Sequence, residues 1–225
     1  MSNAAEKIAG EIEEKGAITF ARFMALALYC PNCGYYEREE DRIGARGDYY
    51  TSVSVGSLFG ELLAFQFADW LAERQVSSAR HRVPSAQGEA GAGTEVMRIV
   101  EAGAHGGRLA RDILAWMREY RPALFQRLEY WIVEPSEQRR GWQQGALAQF
   151  AAKLHWVRQL PELLSLPASS PTNRQPSPSV RGIIFSNELL DAMPVHRLGW
   201  DAKERTWYEC GVTSEGGRFV WTRMP

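Results

Sequence analysis

The sequence predicts an α/β protein in which a parallel β-sheet follows an N-terminal helical region. The first observation is that short apolar runs, rich in β-branched and aromatic residues, alternate with helical patterns in the second half of the chain. The second is that apolar residues near the N-terminus recur at helical spacing. Alternation of strand and helix is typical of βαβ units, which build a parallel sheet.

Two helices are predicted in the N-terminal region. Apolar residues follow the i, i+3, i+4 spacing over residues 20–28 and again over residues 59–71. Thr19 is placed to cap the first of these helices. Residues 30–57 between them are rich in glycine, tyrosine and polar residues, so we expect a loop that contains a short hairpin.

Four strands buried on both faces are predicted at residues 96–100, 130–133, 154–157 and 182–185. A helical stripe over residues 109–120 links the first two strands and ends before Pro122. Residues 205–212 and 218–224 flank a Ser-Glu-Gly-Gly turn and predict a β-hairpin.

Two stretches rich in small residues or proline, 76–95 and 165–181, are expected to be flexible. The predicted organisation is therefore an N-terminal helical region (1–75), a flexible linker (76–95) and an α/β core (96–225) that contains the flexible loop.

Charge and composition exclude several classes of protein. The 225 residues carry 26 Lys and Arg against 27 Asp and Glu, so no basic excess would draw the chain onto nucleic acid. No apolar run approaches the roughly 20 residues of a membrane span, and the N-terminus has no apolar stretch of a signal peptide. We expect a cytoplasmic protein. Cys30 and Cys33 form a Cys-x-x-Cys pair, but only Cys210 is left to complete a zinc site, so we expect no metal.

The turn after the first predicted strand is a candidate ligand site. Ligands of open α/β sheets bind beyond the carboxyl ends of the strands, and Gly103, Gly106 and Gly107 permit close backbone approach there. The spacing is not G-x-G-x-x-G, and Glu101 before the turn would repel a pyrophosphate. A cationic ligand without phosphate, such as S-adenosylmethionine, suits the turn better. The alternative is a structural turn in which Glu101 caps the next helix.

Glu134, at the end of the second predicted strand, is a candidate for binding ribose. A carboxylate there can accept hydrogen bonds from both ribose hydroxyls, and Glu101 and Glu134 fall at adjacent strand ends. The alternative is an acid that opens the following helix, where the helix dipole favours negative charge.

Asn187, Glu188 and Asp191 follow the fourth predicted strand, where an acceptor would meet the methyl group of the cofactor. A helical turn would place Glu188 and Asp191 on one side, and two carboxylates so placed can clamp a guanidinium. The alternative is a helix N-cap followed by acids of the first turn.

Several ordered motifs together resemble one protein family. They are Phe-Ala-Arg-Phe-Met-Ala-Leu-Ala-Leu-Tyr (20–29), Gly-Tyr-Tyr (34–36), Gly-Asp-Tyr-Tyr-Thr-Ser (47–52), Leu-Phe-Gly-Glu (58–61), the glycine turn with its helix (101–114), Val-Glu-Pro-Ser (133–136) and Asn-Glu-Leu-Leu-Asp-Ala-Met-Pro-Val (187–195). From about residue 18 to residue 212 the chain is similar to the MidA-type methyltransferases. That family includes a mitochondrial protein arginine methyltransferase used in complex I assembly.

The resemblance implies a Rossmann-like class I methyltransferase sheet, S-adenosylmethionine as cofactor, S-adenosylhomocysteine as product and a protein arginine as acceptor. It also implies that residues 47–52 lie over the cofactor, so that residues 1–75 include a lid. The chain departs from the family at two places. His105 stands at the middle glycine of the family's turn, and the chain stops at Pro225, so we expect the last strands of the sheet to be missing.

The sequence thus predicts a methyltransferase that uses S-adenosylmethionine and acts on a protein substrate at arginine. The predicted catalytic residues are Asn187, Glu188 and Asp191. The predicted cofactor contacts are Asp48, Thr51, Ser52, Glu101, Ala102, Gly103, His105, Gly107, Leu109, Glu134, Pro135, Leu160 and Ser186. Two alternatives stay open: a non-catalytic assembly module that binds S-adenosylmethionine and, ranked lower, a nicotinamide-dependent dehydrogenase.

Overall fold

The computed structural model describes residues 3–38, 52–80, 96–165 and 182–224. Contacts group the chain into two compact units, one of Arg42–Asn187 and one that joins Met1–Asp41 to Glu188–Pro225. These boundaries differ from the division at residues 75 and 95 predicted from the sequence. Residues 81–95 and 166–181 lie outside the described residues, so the predicted flexibility of the linker and of the loop stays a prediction. The helix Leu58–Arg80 includes the first residues of the predicted linker, 76–80.

Seven α-helices and eight strands lie within the described residues. In chain order the helices are α1 (Ala4–Lys15), α2 (Phe20–Tyr29), α3 (Ser52–Val55), α4 (Leu58–Arg80), α5 (Arg108–Tyr120), α6 (Pro122–Gln126) and α7 (Glu137–Ala146). The strands are β1 (Ile18–Thr19), β2 (Met97–Ala102), β3 (Leu128–Val133), β4 (Leu154–Val157), β5 (Gly182–Ser186), β6 (Leu198–Asp201), β7 (Thr206–Glu215) and β8 (Arg218–Arg223). None of the described helices is long and apolar enough to cross a membrane.

Strands β2 to β5 form the parallel sheet of the unit Arg42–Asn187. They pair in the order β4-β3-β2-β5, with Ala102 opposite Val133 on one side and Ser186 on the other. The chain moves outward from β2 through β3 to β4 and then returns to the far side of β2. This change of direction creates a switch point between β2 and β5, which is where open α/β sheets bind ligands. The predicted α/β class and parallel pairing are confirmed.

One face of this sheet packs against α4 and α5. Ile99 and Tyr130 are fully buried in one cluster with Ile113 and Met117 of α5, as the helical stripe over residues 109–120 predicts. Burying side chains of this size contributes about 1.5–3 kcal/mol each, so the cluster holds the strand ends in place. The prediction that every strand is buried on both faces is wrong for β5. Ile184 is 55% exposed, and among the described strands β5 has a neighbour on one side only.

The unit built from both ends of the chain contains an antiparallel sheet in which β7 pairs with β1, β6 and β8. Strands β7 and β8 form the predicted hairpin. Its turn residues Gly216 and Gly217 both adopt positive φ, 56° and 75°, as a two-residue turn of this kind requires. Thr19 caps α2 as predicted, because its side chain accepts the backbone N–H of Arg22.

Candidate functional site

The carboxyl ends of the four parallel strands lie along one edge of the sheet. Because the strands run the same way, the segments that follow Ala102, Val133, Val157 and Ser186 leave the sheet on the same side. Ala102 and Ser186 border the switch point. The predicted residues of this unit that follow these strands are therefore gathered along this edge.

The turn after β2 has the backbone shape that its glycines predict. Gly103 and Gly107 adopt φ angles of 78° and 80°, a region that glycine enters without strain. His105 also has a positive φ of 47°, which costs a residue with a Cβ about 1–2 kcal/mol. A Cβ at Gly107 would lie 3.0 Å from Leu147 Cδ1, whereas a Cβ at Gly106 would meet nothing within 4 Å. The turn thus has open space beside its backbone at Gly106.

Helix α5 begins directly after Gly107. The first N–H groups of any helix have no partner within that helix, so they can bind an electronegative group of a ligand. The side chain of Leu109, a predicted cofactor contact, is buried in the core cluster below α4. Leu109 lies in the first turn of α5, so its backbone N–H is among those without a partner inside the helix.

Glu101 lies inside β2 and not in the turn, because the strand extends two residues beyond its predicted end at residue 100. Its side chain is 2% exposed and accepts a hydrogen bond of 2.7 Å from the Tyr130 hydroxyl. Burial raises the pKa of Glu101 from 4.5 to about 7, and the Tyr130 hydrogen bond opposes this rise. The predicted attraction of a cationic ligand by Glu101 stays a prediction. The alternative, in which Glu101 caps α5, is not found, because its carboxyl group bonds to Tyr130 and no side chain caps α5.

Glu134 directly follows β3, as predicted, and is 1% exposed. Its Oε1 accepts hydrogen bonds from Nε and Nη2 of Arg139, at 3.0 and 2.8 Å, and from the Ser136 N–H at 3.0 Å. Its Oε2 accepts one hydrogen bond, from Gln143 Nε2 at 3.1 Å. Each carboxylate oxygen has about two acceptor positions, so Oε1 is saturated and Oε2 retains one. Ser136, and not Glu134, caps the helix that follows.

Two residues of α7 complete this cluster, and neither was predicted from the sequence. Arg139 and Gln143 are buried one turn apart on the same face of the helix, and both donate to Glu134. Gln143 also donates to the carbonyl of His105 at 2.8 Å and accepts from Nε1 of Trp156 at 2.9 Å. The sequence contains one signal that could have identified them. Two polar residues at i, i+4 spacing follow a strand-end carboxylate, and this spacing puts both on one face of the next helix.

The remaining predicted cofactor residues at this edge are exposed or half-buried: Ala102, Pro135, Leu160 and Ser186. Leu160 lies in a 3₁₀ helix after β4 and is 45% exposed. An exposed apolar side chain here can cover a flat apolar group such as a purine ring. Ser52 is exposed at the start of α3, and the predicted contacts Asp48 and Thr51 lie outside the described residues.

Asn187 is the last residue of the unit that holds the parallel sheet, and Glu188 and Asp191 belong to the other unit. The predicted helical turn over residues 188–191 is wrong, because Glu188 adopts a φ of 47° and a 3₁₀ helix begins only at Leu190. No side chain caps that 3₁₀ helix, so the N-cap alternative is not found either. Both carboxylates are exposed, and neither bonds to another of the residues described.

Within the described part of the chain, no three His, Cys, Asp or Glu side chains come together as they would around a metal ion. The groups that do gather at the sheet edge are a carboxylate with a spare acceptor, open backbone at a glycine turn and an exposed apolar side chain. This set fits a nucleoside that carries no phosphate, because hydroxyls can donate to Oε2 of Glu134 and the carboxylate would repel phosphate.

Residues 82–225 match the model of a protein family described as "Putative S-adenosyl-L-methionine-dependent methyltransferase". The chain is 27% identical over 205 residues to the mitochondrial protein arginine methyltransferase NDUFAF7 of Mus musculus, a match that covers 84% of this chain and 42% of that protein. The counterpart in Danio rerio is 26% identical over 205 residues, with 86% and 44% covered.

Among solved structures, a COG1565 superfamily member from Burkholderia thailandensis, crystallised with S-adenosylhomocysteine, superimposes with a TM-score of 0.69 at 29% identity. That match covers 99% of this chain and 49% of the other. The chain therefore spans less than half the length of these relatives.

Proposed function

Because this chain belongs to the family of S-adenosyl-L-methionine-dependent methyltransferases, we propose that it binds S-adenosylmethionine at the carboxyl edge of its parallel sheet and transfers the methyl group to a protein. The relatives from mouse and zebrafish are named protein arginine methyltransferases, and we propose arginine as the acceptor here as well. The protein would act in the cytoplasm, without nucleic acid or a membrane as partner.

The observation that carries the proposal is Glu134, a carboxylate with one free acceptor position directly after β3, the strand that pairs with β2. In this proposal Oε2 of Glu134 accepts a ribose hydroxyl, and the open backbone at Gly106 approaches the amino-acid part of the cofactor. Leu160 covers the adenine. Bound S-adenosylmethionine supplies an electrophilic methyl group on a sulfonium, so the protein's own residues need only orient the acceptor.

On the acceptor side, we propose roles for Asn187, Glu188 and Asp191. Glu188 and Asp191 are exposed carboxylates without partners among the described residues, so both can accept hydrogen bonds from an incoming group. A guanidinium is protonated at neutral pH and presents planar pairs of N–H donors that match carboxylates. Carboxylates that hold it also stabilise the charge that develops as the methyl group arrives.

Calorimetry with S-adenosylhomocysteine and with NAD tests the cofactor. We expect binding of the first and none of the second, and the reverse result would favour the dehydrogenase alternative. Glu134→Gln should raise the Kd for S-adenosylhomocysteine about tenfold, because a charged hydrogen bond becomes a neutral one. Glu137→Gln, an exposed neighbour on α7, is the matched control and should leave the Kd unchanged.

Methyl transfer from labelled S-adenosylmethionine to arginine peptides, and to the same peptides with lysine, tests the acceptor. Glu188→Gln should abolish transfer and leave cofactor binding intact, the pattern of a group that matters mainly in the transition state. Glu215→Gln, exposed in the hairpin, should behave as wild type. Cofactor binding by the wild-type chain with no transfer to any peptide or lysate protein would instead support the non-catalytic assembly module.

A further inference from the structure

Gln143 is a neutral side chain buried at the centre of the polar cluster, with 0% of it exposed. Its amide nitrogen donates to Oε2 of Glu134 at 3.1 Å and to the carbonyl oxygen of His105 at 2.8 Å. Its amide oxygen accepts the indole N–H of Trp156 at 2.9 Å. The single side chain thus joins the turn after β2, the end of β3 and strand β4.

The three partners fix which way this amide points. The indole of Trp156 can only donate, so the amide oxygen must face it. A carboxylate and a peptide carbonyl can only accept, so the two amide hydrogens must face Glu134 and His105. A glutamate at this position would lack both donors, and a lysine would lack the acceptor, so the cluster is matched to a glutamine.

Resting on the function proposed above, we infer that Gln143 is a positioning residue for the cofactor. It ties the glycine turn, which would approach the amino-acid part of the ligand, to the carboxylate that would bind the ribose. Because both groups bond to one nitrogen atom, their spacing is set before the ligand arrives. Oε2 of Glu134 is also the oxygen with the free acceptor position, so Gln143 orients the atom that would contact the ribose.

Gln143→Met tests the inference, since methionine has a similar volume and no amide. We expect the Kd of the full chain for S-adenosylhomocysteine to rise about tenfold or more, because two acceptors lose their donor. Gln144→Met, at the exposed neighbouring position of α7, is the matched control and should leave the Kd unchanged. Circular dichroism of both variants checks that they fold.

A double-mutant cycle separates positioning from a general structural role. If Gln143 acts through Glu134, the Gln143→Met change should raise the Kd much less in a Glu134→Gln background than in the wild type. An equal fold-change in both backgrounds would overturn the inference.

Trp156→Phe provides a second route should Gln143→Met fail to fold. It keeps Gln143 but removes the donor that sets the direction of its amide, so the Kd should rise by a smaller factor. A wild-type Kd in a folded Gln143→Met variant, or in Trp156→Phe, would overturn this inference and leave the proposed function standing. No binding by the wild-type chain would overturn the proposed function and this inference with it.

Discussion

Glu101, inside β2, and Glu134, directly after the adjacent strand β3, are equally buried, but their partners differ. Glu101 has a neutral partner, the hydroxyl of Tyr130, and burial raises its pKa to about 7. Glu134 has a cation, the guanidinium of Arg139, within 2.8 Å and two further N–H donors. Depth in the sheet therefore does not decide what a carboxylate can do. Its hydrogen-bond partners differ between the two positions: a neutral hydroxyl at Glu101 and an ion pair with two further donors at Glu134.

Removing the cation beside Glu134 has the largest expected effect. Arg139→Met leaves a buried carboxylate next to an apolar side chain, and breaking a buried pair from one side costs about 3–5 kcal/mol of unfolding free energy. Urea denaturation at neutral pH measures the loss. Arg158→Met removes a cation whose ion pair with Glu137 is exposed on both sides, so it should change stability by less than about 0.5 kcal/mol. Equal losses in both variants would show that the two pairs contribute alike.

The contribution of Glu101 to the free energy of unfolding should depend on pH, and it should change in the opposite direction from that of an ordinary ion-paired carboxylate. Its pKa is about 7 in the fold and 4.5 without the fold, so the folded chain holds the proton more tightly. The resulting stabilisation is complete below pH 4.5 and is lost as the pH rises to 7, a change of about 3 kcal/mol. Glu101→Gln does not titrate, so its stability relative to the wild type should rise by that amount between pH 4.5 and 8. Denaturation at a series of pH values measures this, and a constant difference would contradict the raised pKa.

Tyr130→Phe should also lower stability in a way that depends on pH, but by a smaller amount. The Tyr130 hydrogen bond lowers the pKa of Glu101, so its removal should move the pH-dependent window upward. The loss of stability should be about 1–3 kcal/mol at pH 8, where Glu101 is ionised, and smaller at pH 4.5. Tyr120→Phe, at an exposed position of α5, is the control. An equal loss at both pH values would mean that the two side chains are not coupled.

The smallest expected effect concerns the backbone of the turn after β2. Because His105 has a positive φ, His105→Gly should be more stable than His105→Ala by about 1 kcal/mol. Both variants lose the imidazole, so their difference reports the backbone alone. Thermal unfolding of the pair measures it. If alanine were the more stable, as it is inside helices, the turn would not hold this conformation in solution.

Patterns along the chain were enough to predict the four parallel strands, helices α2, α4 and α5, the hairpin and the position of Glu134. The cluster around Gln143 could not be predicted, because it joins α7, β4 and the glycine turn, which meet only in the folded sheet. Burial of Glu101 was missed because pairing with both β3 and β5 extends β2 past its apolar run. The turn at residues 188–191 depends on the backbone angle of Glu188, which local spacing does not reveal.

The pairing of β2 with β5 determines the order in which this sheet can assemble. Strands β2, β3 and β4 follow one another along the chain, so their pairing closes shorter loops, whereas β5 joins β2 only after the chain has passed through all three. Longer loops cost more entropy to close and slow folding. We therefore expect the pairing at the switch point to be the last part of the sheet to form. A ligand that binds there only in the folded chain would stabilise the pairing of β2 with β5 by mass action.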